Sequence, residues 1–472
     1  MKIELMPGEW FQFHGQRLER SQSGSTTWIG VSAGDAGFLT LTKNGLHVVG
    51  AADVGIRQFR LKGPLNGRIV VRETLPATGA FCEQIDTVPK ISAIPETPKA
   101  SMSKSMVVVD LMVLMSNEAV AHLGWDWKTD VDNFVANMNQ SFVDSSIAAR
   151  VRVVKYAQIR DSAANGTNVA NQVSNVFSLL SNASQPFSTI PSERNQVGAD
   201  IVLHLITRLP NSTRCGAANA YRAGSNTDVA FAVASVNCPA SDHTFTHEAG
   251  HLLGGIHDSA FTTETQAVFP YAFGYTNRQI AGANFRTLMG DGTFAGGDAC
   301  SGGTSGCPRI NRWSSPHQQV EIAGQTVPIV AEADAAKSNM VRTIQGSSDF
   351  YDPVEGMASL VARHRSPVAV SPGSPTNFVA DSYCGGIPRE FSWRAGTGVA
   401  GWYELYTVAH GDVTEPPYTS PTSTLDARSL AVTVYSYRMD TTFVYLRSCN
   451  TAGCSSWITG GPLLPLGIPP CR

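Results

Sequence analysis

The sequence predicts a multidomain chain: a β-rich N-terminal part, a central α/β (α+β) domain with a mixed sheet, and a C-terminal all-β sandwich. Three observations predict it. Apolar and polar residues alternate between glycine-containing turns at both ends, as in STTWIGVSAG near the start and SLAVTVYSY near the finish, which is the period of half-buried strands. Between them, apolar runs alternate with helix-spaced segments, the pattern of strands and helices layered together. Two stretches without any period, ISAIPETPKASMSK (91–104) and HRSPVAVSPGSPTN (364–377), carry the prolines and serines of exposed connections.

Taken in order, residues 1–100 hold the short strands of GFLTLTKNGLHVVG and NGRIVVRETL. The central domain spans 105–365. It opens on a buried strand, MVVVDLMVLM (106–115), followed by a helix that carries Trp127, Val131, Phe134, Val135 and Met138 on one stripe. ARVRVVKYAQI is a strand, NVANQVSNVFSLLSN an amphipathic helix, ADIVLHLITRL a strand and TFTHEAGHLLGG a helix. A linker covers 366–376. Residues 377–472 return to short strands (FSWRAG, GWYELYTVA, TTFVYLRSC) at sandwich-like intervals.

A chain of 472 residues exceeds one ordinary core. Its net charge of -3 offers no electrostatic case for nucleic acid or an anionic membrane surface. No apolar run is long enough to span a bilayer. The opening residues MKIELMPGEWFQFHGQ lack the apolar core of a signal peptide, whereas nine cysteines without C-x-x-C spacing favour disulfides and an oxidising, extracellular destination. The export route is left open. If the pairs are Cys215–Cys238, Cys300–Cys307, Cys384–Cys471 and Cys449–Cys454, Cys82 is left over; the sequence does not fix the pairing.

One stretch carries chemistry: HEAGHLLGGIHD, His247 to Asp258. From this chain's composition such a set of residues at fixed places arises by chance on the order of once in a million chains, so the spacing has a purpose. His247 and His251 fall one helical turn apart on one face and can bind one Zn²⁺. Gly254 can take the positive φ that ends the helix, which lets His257 return as third ligand. Three protein ligands leave the open position that a catalytic zinc requires. Glu248, beside the first ligand, is placed to act as general base on water that zinc has acidified.

The stretch resembles the metzincin zinc endopeptidases, whose motif HExxHxxGxxH is followed by a Met-turn. NFRTLMG (284–290) supplies the second half. By this resemblance Met289 forms the floor beneath the histidines, and Asp258 supports the turn, as in the reprolysin-like branch. RCGAA (214–218), YAFGY (271–275) and RINRWSSP (309–316) are similar to the bacterial peptidyl-Asp metalloendopeptidase group. That likeness implies a wall of the S1′ pocket along 309–316, where Arg309 or Arg312 meets an acidic side chain; read alone, each is a surface arginine. His243 is expected to be a surface or first-turn helix residue rather than a ligand, and His204 a packed, hydrogen-bonded core residue. Asp291 and Asp298 could hold Ca²⁺, but no oxygen-ligand spacing supports it and a disulfide-closed loop is preferred.

The N-terminal region looks like the prosegment of secreted metallopeptidases. In such a setting Cys82, in TLPATGAFCEQ, either occupies the fourth zinc position as a thiolate or is a buried free or otherwise paired cysteine. It lacks the PKMCGVT-type consensus. FSWRAGTGVAGWYELY and VYLRSCNTAGCSSW resemble a fibronectin type III domain, with Trp393, Tyr403 and Leu446 in its core and an unknown ligand. The expected function is a secreted, monomeric zinc metalloendopeptidase that acts on proteins or peptides and is made as a latent zymogen. The rival expectations are a catalytically silent adhesion protein and a toxin-like effector protease delivered to another cell.

Overall fold

The computed structural model describes residues 1–32, 37–74, 81–85, 106–124, 126–161, 172–209, 212, 214–219, 230–238, 241–259, 267–277, 284–290, 307–322, 324–347, 354–362, 374–380, 389–394, 402–409, 423–426, 431–434, 442–450, 453–455 and 458–463. The chain forms two compact units. The first comprises Met1–Val153, Gln158–Pro191 and Asp200–His364, and the second Val154–Ala157, Ser192–Ala199 and Arg365–Arg472.

The N-terminal strands are β1 (Lys2–Met6), β2 (Glu9–Arg20), β3 (Thr26–Ser32), β4 (Gly37–Asn44), β5 (His47–Val54), β6 (Arg57–Pro64) and β7 (Val70–Thr74). They form one antiparallel meander in chain order. Short turns of the kind that join antiparallel neighbours, several of them with positive-φ glycines (Gly8, Gly45, Gly55), set this order. Alternation puts Leu39, Ala52, Val54, Phe59 and Leu61 on one face, where they bury with Leu5 and Phe13 in a core of their own.

The central layers follow as β8 (Phe81–Ile85), β9 (Val107–Ser116), α1 (Asn117–Leu123), α2 (Trp127–Asp144), β10 (Ala149–Ile159), α3 (Gln172–Ser181), α4 (Ile190–Val197), β11 (Ile201–Ile206), β12 (Arg214–Asn219), β13 (Phe231–Ser235) and α5 (Ser241–Leu252). Ser116 caps α1 by accepting from Ala119 N at 3.0 Å. The sheet order is β10-β9-β11-β13-β12-β8. β9, β11 and β13 run parallel and are buried, so their sequences read as continuous apolar runs. β12 runs antiparallel to β13. The mixed sheet is thus present, and it includes a strand from the N-terminal hundred residues: β8 adds parallel to β12, with Cys82 opposite Gly216.

Beyond α5 come β14 (Thr276–Asn277), β15 (Phe285–Arg286), β16 (Gln319–Ile322), β17 (Gln325–Pro328), α6 (Met340–Gln345), β18 (Gly346–Ser347), β19 (Val354–Glu355) and α7 (Met357–Val361). Tyr275, Phe285, Ile310, Val320, Ile322, Val327 and Ile329 cluster beneath them. His204 is buried with its Nε2 2.8 Å from Asp161 Oδ2, a packed core histidine as expected.

The C-terminal strands are β20 (Thr376–Ala380), β21 (Arg389–Arg394), β22 (Trp402–Ala409), β23 (Ser423–Asp426), β24 (Ala431–Val434), β25 (Thr442–Asn450), β26 (Gly453–Cys454) and β27 (Ile458–Leu463). They make two antiparallel sheets, β20-β21-β24 and β23-β22-β25-β26, with β27 also paired to β25. Trp393 of one sheet meets Tyr403 of the other edge-on, ring centroids 5.3 Å apart, and Leu446 is buried with them.

Disulfides join Cys215 to Cys238 and Cys449 to Cys454, and Cys307 is disulfide-bonded. Cys300, Cys384, Cys471, Asp291 and Asp298 lie outside the described residues, as do the two aperiodic connections apart from Ser374, Pro375, Thr376 and Asn377.

Candidate active site

The site is assembled from α5, the turn that ends it, the segment that follows β15, and strand β12. α5 is buried on all sides: Phe245, Ala249 and Leu252 join the core, and Phe245 meets Phe134 of α2 at 5.8 Å between ring centroids. His247, Glu248 and His251 are buried with it. The helix closes through Gly254 N–H to His251 O (3.0 Å) and Gly255 N–H to Gly250 O (2.9 Å). Gly254 has φ +81°, the left-handed turn expected of it. The chain then pairs with 272–274, through Ile256 N–H to Ala272 O and Gly274 N–H to Ile256 O, and this pairing brings His257 back to the helix.

The three imidazoles converge. Ring centroids lie 4.8, 5.1 and 5.0 Å apart for 247–251, 247–257 and 251–257, and one nitrogen from each lies within 4.8 Å of the others. Backbone carbonyls fix two tautomers. His247 Nδ1 donates to Leu288 O at 2.6 Å and His251 Nδ1 to Gly255 O at 2.8 Å; a carbonyl only accepts, so both Nε2 atoms keep their lone pairs. His247 Nε2 and His257 Nε2 stand 3.1 Å apart. Burial, reinforced by the positive charge of Arg309, holds His247 well below the ordinary histidine range. Burial, Arg309 and Arg286 push His257 down to about 3. Neutral imidazoles with second nitrogens tied to acceptors are the form that ligates a metal, so the donor set fits a zinc ion with an open fourth position.

Met289 is buried directly beneath. A Cβ on Gly250 would overlap Met289 Sδ and come within 2.9 Å of Trp313, so the glycine between the ligand histidines admits that floor. Asp258 accepts from Thr276 Oγ1 at 2.6 Å, which anchors the end of the motif to β14. Arg309 reaches Gly290 O at 3.5 Å, at the back of the Met289 turn. Arg312 instead donates to Asp144 O at the end of α2. The structure therefore brings Arg309 to the histidines and leaves Arg312 bracing α2. His243 lies in the first turn of α5 but is not at the surface: it is buried, with Nδ1 2.6 Å from Gln58 Nε2 and Nε2 3.1 Å from Asp53 Oδ2. The N-terminal sheet covers that turn, which helical spacing alone does not reveal.

Several residues here escape the sequence reading. Gly216 of β12 is one: a Cβ there would overlap the carboxylate of Glu248, so the bare glycine lets Glu248 lie at the sheet edge. Arg286 is another, bridged to Arg309 and adjacent to Gly290. Trp313 donates from Nε1 to Ser141 Oγ (2.9 Å) and stacks on Phe142 at 5.6 Å, which ties the 309–316 segment to α2. RCGAA and RINRWSSP contain two of these positions, but no local period marks their partners.

Three buried imidazoles, two on a helix and the third on the chain that returns after it, with a carboxylate next to the first and a mixed sheet alongside, define a metal-dependent peptidase. The family model described as Reprolysin_5, Metallo-peptidase family M12, matches residues 105–296. A peptidyl-Asp metalloendopeptidase of Stenotrophomonas maltophilia is 26% identical over 354 residues, 71% of this chain and 79% of that protein. One from Xanthomonas campestris is 25% identical over 324 residues, 67% of this chain and 70% of that protein. The crystal structure of metalloproteinase-II from Bacteroides fragilis gives a TM-score of 0.35 at 11% identity, over 64% of this chain and 84% of that one. Residues 105–296 thus match the model of metallopeptidase family M12, and the chain is a zinc metalloendopeptidase.

Proposed function

We propose that this is a secreted endopeptidase held latent by its own N-terminal segment, with His247, His251 and His257 as zinc ligands and Glu248 as the proton carrier. The observation that carries the reading is the convergence of the three imidazoles within 4.8 Å with two tautomers fixed by carbonyls. Zinc held there supplies Lewis-acid polarisation of a carbonyl and acidification of water. Glu248 takes the proton of the attacking water and passes it to the leaving amine. Met289 and Asp258 keep the ligands placed through the floor and the β14 anchor.

Support for latency comes from β8. It adds to the sheet edge at β12 and sets Cys82 opposite Gly216, the residue that lies against Glu248. Cys82 is thereby proposed as the ligand that closes the fourth zinc position, and cleavage within 91–104 as the step that frees it. The disulfides support an oxidising destination, and no described helix is long and apolar enough to cross a membrane. Arg309, with Arg286 beside it, supports a preference for an acidic side chain next to the scissile bond, in keeping with the relatives' naming as peptidyl-Asp enzymes. The C-terminal sheets are read as a fibronectin type III-like accessory.

The test compares purified full-length protein with Glu248→Gln for zinc content and for cleavage of an unfolded protein, with and without limited proteolysis. One zinc in both, with activity only in the nicked wild type, is the expected result. Zinc without activity in any form excludes the peptidase reading, and no zinc excludes the ligand set.

A further inference from the structure

The N-terminal meander meets the central layers with its polar face. Alternation sends Leu39, Phe59 and Leu61 into its own core, and Thr40, Thr42, Gln58, Arg60 and Lys62 to the opposite face. That face lies on α2. Asn133 Nδ2 donates to both Thr40 Oγ1 and Thr42 Oγ1 at 3.0 Å, and Thr40 Oγ1 donates to Asn137 Oδ1 at 2.6 Å. Asp130 pairs with Lys62 at 2.7 Å and Arg60 at 3.6 Å, while Arg60 also lies over the Phe134 ring. Asp132 Oδ2 accepts from Ser21 Oγ at 2.8 Å and from the hydroxyls of Ser23 and Ser25. At α5, Asp53 and Gln58 engage His243. The register puts Ile29, Phe38, Val49 and Ala51 on this face as well, all buried, so it joins apolar contacts to the hydrogen bonds.

A module with its own apolar core, and an outer face that mixes buried apolar residues with side-chain hydrogen bonds and ion pairs, has the character of a docked partner. We propose that the polar face of α2, centred on Asp130, Asp132, Asn133 and Asn137, is a docking surface whose occupant is residues 1–74 of this same chain, and that docking persists after the chain is cut. The module then delivers β8 to the edge of β12: two weak attachments on one segment, a backbone ladder and a polar face, raise each other's effective concentration. Cutting the connection leaves a bound inhibitor, and departure of the module is a separate second step. The inference deepens the latency reading and takes its purpose from it, but the docking stands or falls without reference to activity.

The experiment places a specific protease site between residues 91 and 104 of the full-length chain, cuts there, and follows the two pieces by gel filtration. The wild-type pieces are expected to co-elute. Asp132→Ala on one side, and Ser23→Ala with Ser25→Ala on the other, are each expected to weaken the pair about tenfold or more, the loss of a hydrogen bond to a charged group. In the uncut chain the same serine variants are expected to speed amide exchange in Cys82–Ile85 without changing zinc content. Immediate separation of the wild-type pieces overturns the docking surface. Co-elution of all variants up to one common denaturant midpoint overturns it too, because the two parts are then a single core. Unchanged exchange in β8 overturns the delivery role. An uncut chain that is already active removes latency and leaves the co-elution result standing.

Discussion

His247 Nδ1 donates to the carbonyl of Leu288 at 2.6 Å. The residue before Met289 therefore selects the tautomer of the first ligand, and the buried turn acts on the site through its backbone as well as through the thioether. The Met289 side chain fills space against Gly250, while the peptide before it orients the imidazole. The floor and the tautomer lock are one structure.

Gly216 is expected to tolerate no side chain. Gly216→Ala places a methyl group where the Glu248 carboxylate lies, so the carboxylate must move while the imidazoles stay. We expect kcat to fall about a hundredfold or more, the scale of a displaced general base, with zinc content unchanged. Steady-state kinetics beside metal analysis checks this. Loss of zinc together with activity would show that the strand edge, not Glu248, had been disturbed.

The Thr276–Asp258 hydrogen bond is expected to contribute to metal affinity. Thr276→Val removes the donor to Asp258 Oδ2 and loosens the segment that carries His257. Affinity should drop about tenfold, the lower end of what supporting contacts of ligands are worth. Competition against a chromogenic chelator measures it, and an unchanged constant would assign Asp258 to the fold alone.

The metal-free protein is expected to lose stability on acidification. Folded His257 sits near 3 against an ordinary 6.5, and His247 is also lowered. Between those values the unfolded chain binds protons that the folded chain refuses, so stability rises with pH through the window and falls as pH drops below about 6.5. Denaturant midpoints of metal-free protein across the range give the slope. A flat profile for wild type, or one as steep for His257→Gln, would contradict the assignment.

Cys82→Ala is expected to give an uncut chain with activity that the wild type shows only after nicking. Zinc content should not change. Latency that survives the substitution would leave β8 blocking the edge by its backbone alone, with no part for the thiol.

Much of this was legible in the sequence because it is local. HEAGHLLGGIHD specifies its helix, its left-handed exit at Gly254 and its three converging rings within twelve residues, and the strands around 106–115, 149–159 and 199–209 follow from their apolar runs. What stayed hidden depends on distant partners. β8 is five residues long and lies among the first hundred, yet it completes the central sheet. Thr276, Arg286, Gly216 and Gln58 carry no periodic signal and acquire meaning only through what they face. His243 read as a surface or first-turn residue because the helix pattern says nothing about a sheet arriving from some two hundred residues upstream.

That histidine has a further consequence. α5 carries imidazoles at 243, 247 and 251, and so offers two chelating pairs one turn apart. Only the lower pair has a carboxylate between its members in sequence, Glu248; the residues between His243 and His247 are Thr, Phe and Thr. An ion captured by the upper pair would sit in a decoy, bound but barren. With one ring nitrogen of His243 against Asp53 and the other against Gln58, the N-terminal sheet engages the upper imidazole, and the pair that α5 offers to a metal is His247 with His251.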